Sequence, residues 1–164
     1  MKTAKLFSLI LIALCGLTMA VTAQTKTFRG AWFTIQYPDD FTAEGSLPSA
    51  GSDEDNTFDS ATFTSPDGTV TFYVYSPQWS GDPTDIDLQK DEREGQRKVT
   101  RGKKQTITYW TIGAKDGTHT RSYQEVRQGE KMHVIGIHYT TQKAYNKYKK
   151  QYLQFKASLK QFAD

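Results

Sequence analysis

The chain has 164 residues, 37% hydrophobic and 24% charged, with a formal net charge of +3 and one cysteine. That length supports one globular core without staples, and a single cysteine excludes an internal disulfide framework and any thiolate cluster for a metal. The small net charge conceals a division: residues 24–95 hold four basic and fourteen acidic side chains, whereas residues 96–164 hold fifteen basic and four acidic. Either the halves interleave in one fold and neutralise each other, or the fold presents an acidic face and a basic face to partners.

The chain opens with Met1-Lys2 and Lys5, then an almost unbroken apolar run from Leu6 to Leu17, then the small residues Val21-Thr22-Ala23. This is the layout of a secretory signal peptide over residues 1–23 with cleavage after Ala23. The run is too short to span a bilayer comfortably, which takes about 20 residues. Leu14 is too bulky to precede a lipidated cysteine, so Cys15 is expected to leave with the leader. Residues 24–164 are then one cysteine-free domain with no membrane span, suited to a bacterial periplasm or to secretion.

From Thr27 to Phe41 the alternation of Trp32, Thr34 and Gln36 against Phe33, Ile35 and Tyr37 predicts a strand, ended by Pro38. Phe41 to Ser60 reads as a polar loop. Ala61 to Tyr75 predicts a hairpin around Ser65-Pro66-Asp67-Gly68, where proline presets φ and glycine accepts the left-handed conformation. Val70, Phe72 and Val74 share one face of its second strand. Between Asp82 and Gly95, Thr84 with Asp85 and Asp87 suits the start of a short helix. Three strands follow, at Gln105–Ile112, His119–Arg127 and Lys131–Thr140, close enough in sequence for an antiparallel meander. Thr141 then caps a helix from Gln142 to Phe162, whose stripe of Tyr145, Tyr148, Tyr152, Phe155, Leu159 and Phe162 faces the core. The expected fold is α+β: a single antiparallel sheet of about five to seven strands, covered by the C-terminal amphipathic helix and a second short helix.

Three stretches carry a family resemblance: Phe33-Thr34-Ile35-Gln36-Tyr37-Pro38, the hairpin with Phe72-Tyr73-Val74, and the closing Tyr152–Phe162 segment. Together they resemble the PsbP-like α/β/α-sandwich family, which includes the extrinsic photosystem protein PsbP and many small secreted bacterial proteins. The resemblance implies one compact sheet covered by helices, the second around Asp85 to Glu94, and a role in assembly or partner binding. It assigns no functional residues.

Few residues point to chemistry. His133 and His138 fall on opposite faces of one strand, and His119 follows a turn where solvent reaches it. No nucleophile elbow, zinc-binding helix or phosphate-cradling glycine loop is present, so no enzyme and no cofactor are expected. The metal candidates are Asp53, Asp55 and Asp59, spaced as a calcium loop begins, although Phe58 replaces the turn glycine and Thr64 the distal glutamate. Lys143, Lys147 and Lys150 share a helix face opposite the apolar stripe, and Trp79 sits in a loop where its ring either packs or meets a partner. These four are the candidate partner-binding residues, for a protein or anionic polymer of the cell envelope; export makes nucleic acid an improbable partner. The functional expectation is an exported, non-enzymatic accessory domain. The alternative is a calcium- or small-ligand-binding periplasmic protein.

Overall fold

In the computed structural model, which describes residues 24–50 and 57–162, the central hairpin forms as its turn chemistry dictates. Gly68 takes φ 66°, and Asp67 Oδ1 accepts hydrogen bonds from Ser65 Oγ at 2.8 Å and Thr69 Oγ1 at 2.7 Å. The expected signal peptide, Cys15, Asp53 and Asp55 lie outside the described residues.

The strands run β1 (Thr25–Arg29), β2 (Phe33–Pro38), β3 (Thr42–Gly45), β4 (Ser60–Thr64), β5 (Val70–Tyr75), β6 (Glu92–Glu94) and β7 (Lys98–Arg101). They continue as β8 (Thr106–Ala114), β9 (Thr120–Gln128) and β10 (Lys131–Tyr139); helix α1 (Gln142–Ala157) and β11 (Lys160–Gln161) close the chain. The main sheet has eight strands in the order β3-β4-β5-β10-β9-β8-β6, with β7 also on β8, and every pairing is antiparallel. A separate sheet has the order β1-β2-β11.

This corrects the expectation of one sheet of five to seven strands under two helices. The segment read as one opening strand turns at Gly30, whose N–H donates to Phe33 O, and becomes the β1–β2 hairpin. The supposed loop after Phe41 contributes β3, which pairs residue for residue with β4. The last helix stops at Ala157, where the Ser158 hydroxyl bonds Phe155 O and Gln36 O, and the chain returns as β11 on β2.

The two sheets pack face to face. Phe33 and Ile35 of β2 join Phe63, Phe72, Val74, Ile135 and Ile137 of the main sheet, with Tyr148, Tyr152 and Phe155 of α1 beside them. Phe155 is the hinge of this cluster, its ring 5.1 Å from Phe63 and 5.2 Å from Phe72. Burying each such ring stabilises by about 1.5–3 kcal/mol, so the aromatic spacing of α1 suffices to hold it on the sheet. Thr141 caps the helix as expected, its hydroxyl accepting from Ala144 N at 3.1 Å.

The opposite face of the main sheet carries no second helix among the described residues. Residues 76–91 cross it as an extended strap with one 3-10 turn, Thr84–Ile86. Pro83 precedes that turn without a side-chain cap, and Asp85, rather than capping a helix, accepts from Tyr73 Oη at 2.6 Å and Ser60 Oγ at 2.7 Å. Beyond Ser76 and Pro77 at its start, only Ile86 of the strap is buried, and it alone joins the core cluster of Tyr73, Trp110, Tyr123, Met132 and Val134. A strap that lends one side chain to the core cluster has too little to bury for a helix to be worth forming, so polar anchors hold it instead. No helix among the described residues is long and apolar enough to cross a membrane.

Candidate functional site

The strap is fixed by one arginine. Arg121, on β9, donates through Nε to Glu92 Oε1 at 2.8 Å and through Nη2 to Glu92 Oε2 and Asp87 O. Its Nη1 serves Ile86 O at 3.2 Å and Tyr123 Oη at 3.0 Å. All five guanidinium N–H groups are therefore used, on the Ile86-Asp87 carbonyls of the strap, on Glu92 just after it and on Tyr123 beneath it. Glu92 is 5% exposed and takes further bonds from Gln89 N and His119 Nε2. Burial alone would raise its pKa; the bonds from Arg121, His119 and Gln89 outweigh that and hold it at about 2.

Beneath the strap lies a pocket of about 190 Å³, bordered by Thr62, Thr71, Tyr73, Asp85, Arg121 and His138. Its hydrogen-bonding groups are largely consumed internally. Burial and the neighbouring Asp85 carboxylate push the Tyr73 phenol far above its ordinary range. His119 does not stand in solvent as the sequence suggests: it bonds Glu92 at 2.8 Å and meets His138 edge-on at 5.0 Å between ring centroids. Thr118 Oγ1 lies 3.4 Å from His119 Nδ1, but it bonds Asp116 Oδ1 at 2.8 Å. With its proton on Asp116 the hydroxyl is not poised for activation by the imidazole. His133 is on the other sheet face, near Gln161, as its five-residue spacing from His138 requires.

The three helix lysines are exposed, as expected, but they are not equivalent. Lys147 reaches across to the hairpin turn and bonds Asp67 Oδ2 at 2.7 Å, where Tyr148 Oη also donates at 3.0 Å. The Lys147 bond, with those from Thr69 and Ser65, holds the Asp67 carboxyl well below the usual range. Lys143, Lys149 and Lys150 form no ion pair among the described residues. The charge division resolves in the same way. Glu92 with Arg121, Glu94 with Arg97 and Asp67 with Lys147 pair acids of the first half with bases of the second, while among the described residues Lys143, Lys149 and Lys150 of α1, like Lys98, Arg101, Lys103 and Lys104, enter no ion pair.

Trp79 is 46% exposed, so its ring is not packed under its loop. It belongs to the strap segment, whereas the lysines are on α1 over the other sheet face; the two parts of the sequence-based candidate surface are not brought together. Asp59, the one described member of the acidic loop, has an Oδ1 buried without a hydrogen-bond partner. Burial raises its pKa, with a hydrogen bond involving Ser49 opposing. Among the described residues no group of three or more acidic, histidine or cysteine side chains is arranged to hold a metal ion.

No family model matches the chain, and no curated protein matches it. Among solved structures it is similar to the solution structure of cyanobacterial PsbP (CyanoP) from Synechocystis sp. PCC 6803, with a TM-score of 0.52 and 9% sequence identity. The match covers 91% of this chain and 99% of that one. At this identity the likeness is one of fold: the chain has a PsbP-like fold, mostly β with one α-helix among the described residues.

Proposed function

We propose that the chain is an exported, non-enzymatic binding domain that engages an anionic partner in the cell envelope, a protein or a polymer, through the basic face of α1. One observation carries this reading: Lys143 and Lys150, exposed on one face of α1, form no ion pair among the described residues. A cluster of unneutralised cations steers anionic partners and makes association salt-dependent. The leader-like first 23 residues support export. The non-enzymatic reading is supported by Arg121, whose donors are all spent on Glu92, Tyr123 and the strap carbonyls, and by Thr118, whose hydroxyl donates to Asp116. The test is retention of envelope components on the purified domain at low and high salt, compared with Lys143→Glu/Lys147→Glu/Lys150→Glu; equal retention by both proteins would refute it.

A second reading, a calcium- or small-ligand-binding protein, draws on Asp59, whose buried Oδ1 has no partner. Calcium would favour the charged form that burial disfavours, so a bound ion would raise the melting temperature. Identical melts with calcium and with chelator would retire the calcium version.

A further inference from the structure

The flank of α1 away from Lys143, Lys147 and Lys150 borders a groove of about 290 Å³ on the helix-bearing face of the main sheet. Its walls include Tyr109, Tyr139, Tyr145, Tyr152, Gln124 and Lys156. The groove exists because α1 covers β5 and β10 and leaves the same face of β8 and β9 uncovered. Tyr109 and Gln124 are direct cross-strand neighbours there, and Gln124 opposes Ile135 on its other side.

Three features of the groove lack an internal explanation. Gln124 is only 8% exposed; its Nε2 donates to Tyr109 Oη at 3.0 Å, yet its Oε1 accepts from no donor among the described residues. A buried amide oxygen without a donor is costly in a folded chain and calls for a reason. Lys156 has its ammonium 5.9 Å from the Tyr109 ring centroid and no carboxylate partner among the described residues; burial depresses its pKa. Tyr109 is 42% exposed, and Leu153 at the rim is 52% exposed.

We infer that this groove is a subsite for an acidic sugar unit, the hexuronate type of residue, of an anionic envelope glycan. A pyranose hydroxyl supplies the donor that Gln124 Oε1 lacks, the ring carboxylate pairs with Lys156, and the sugar's C–H face lies on Tyr109. Tyrosines serve such a ligand at both ends, with an apolar ring and a polar tip. A few placed polar groups among aromatic walls is the usual composition of a small-ligand site. An acidic peptide fits less well: β8 is paired on both sides, by β9 and by β6 and β7, so no free strand edge lies along the groove for backbone pairing. The inference rests on the anionic-partner reading above and deepens it by naming the chemistry recognised.

The experiment titrates the domain with a hexuronate hexasaccharide, its fully methyl-esterified analogue, inorganic polyphosphate and poly-glutamate, followed by calorimetry and amide NMR. The expected result is binding of the hexuronate, at least about tenfold weaker binding of the ester, and shifts at Tyr109 and Gln124. Tyr109→Ala and Lys156→Ala should each weaken hexuronate binding about tenfold, with Lys156→Arg recovering most of it. Lys143→Glu/Lys147→Glu/Lys150→Glu should weaken overall affinity for the hexuronate while leaving the shifts at Tyr109 and Gln124 in place at saturating ligand. If polyphosphate or poly-glutamate binds as well as hexuronate, and only the triple variant loses it, the subsite is refuted while the basic-face reading stands. If no polyanion binds, the subsite is refuted, and the envelope-retention test alone decides the basic-face reading.

Discussion

Arg121 and Glu92 form a nearly closed ion pair, their side chains 13% and 3% exposed, and with it β9 grips the far end of the strap that covers one face of the sheet. Removing one member of such a pair leaves a buried charge unmatched, at a cost of about 3–5 kcal/mol. Glu92→Gln and Arg121→Met should each lower stability by about that range, and the double variant by less than the sum of the two. Urea unfolding of the four proteins checks this; strict additivity would mean that the two side chains do not act as a pair.

Acid should dismantle the same contact. The Glu92 pKa is depressed in the folded state to about 2, so its stabilisation is complete above the ordinary carboxylate range near pH 4.5 and is lost as pH falls toward 2. His133 and His138 act earlier on the same descent. Burial lowers both pKa values, with His119 and Arg121 adding to the effect at His138, so the unfolded chain binds more protons below the ordinary histidine range. Stability should therefore decline from about pH 6.5 downward and decline again below about pH 4.5. Melting temperatures measured from pH 8 to 3 should show the lower step reduced in Glu92→Gln and the upper step reduced in His133→Gln.

Gly136 shows how tightly the strap-side face is layered. A Cβ there would lie 2.3 Å from Tyr123 Cδ1 and 3.3 Å from Ser122 O, and Tyr123 is itself stacked on Trp110 at 5.3 Å. Gly136→Ala must displace that ring, at about 1–3 kcal/mol. The near-ultraviolet circular dichroism of the Trp110–Tyr123 stack should change with it, and an unchanged spectrum and melt would show the face to be looser than described.

Phe155→Ala should cost about 3–5 kcal/mol, because one ring closes contacts with both Phe63 and Phe72. Leu153→Ala, two residues earlier on the exposed rim of the tyrosine groove, should change stability by less than about 0.5 kcal/mol. Chemical denaturation of the pair separates the buried face of α1 from its open flank.

What the sequence discloses follows from how local the determining chemistry is. The turn at Gly68, the Thr141 cap and the aromatic stripe of α1 are set within a few neighbouring residues, and all are legible. β3 and β11 are short and have no apolar alternation of their own; they are strands because β4 and β2 lie beside them. The second sheet is hidden for the same reason, since one long alternating run reads identically whether it continues or folds back at Gly30. Arg121 and Glu92 are 29 residues apart, and the one hint of their pairing is that they belong to the oppositely charged halves. The lysine face was visible from helical spacing, but the diversion of Lys147 to Asp67, 80 residues away, was not. Gln124 is legible only as a polar residue in a strand; that its Oε1 is buried and unpaired depends on β8, β10 and α1 together.

The central claim is that this domain binds an anionic envelope partner through the basic face of α1. The most direct measurement is to recover the tagged domain from its native envelope fraction at low and at high salt, alongside Lys143→Glu/Lys147→Glu/Lys150→Glu. The expected result is a partner held at low salt, released at high salt and absent from the triple variant. A partner that stays bound at high salt and to the triple variant alike, or no partner under any condition, would contradict it.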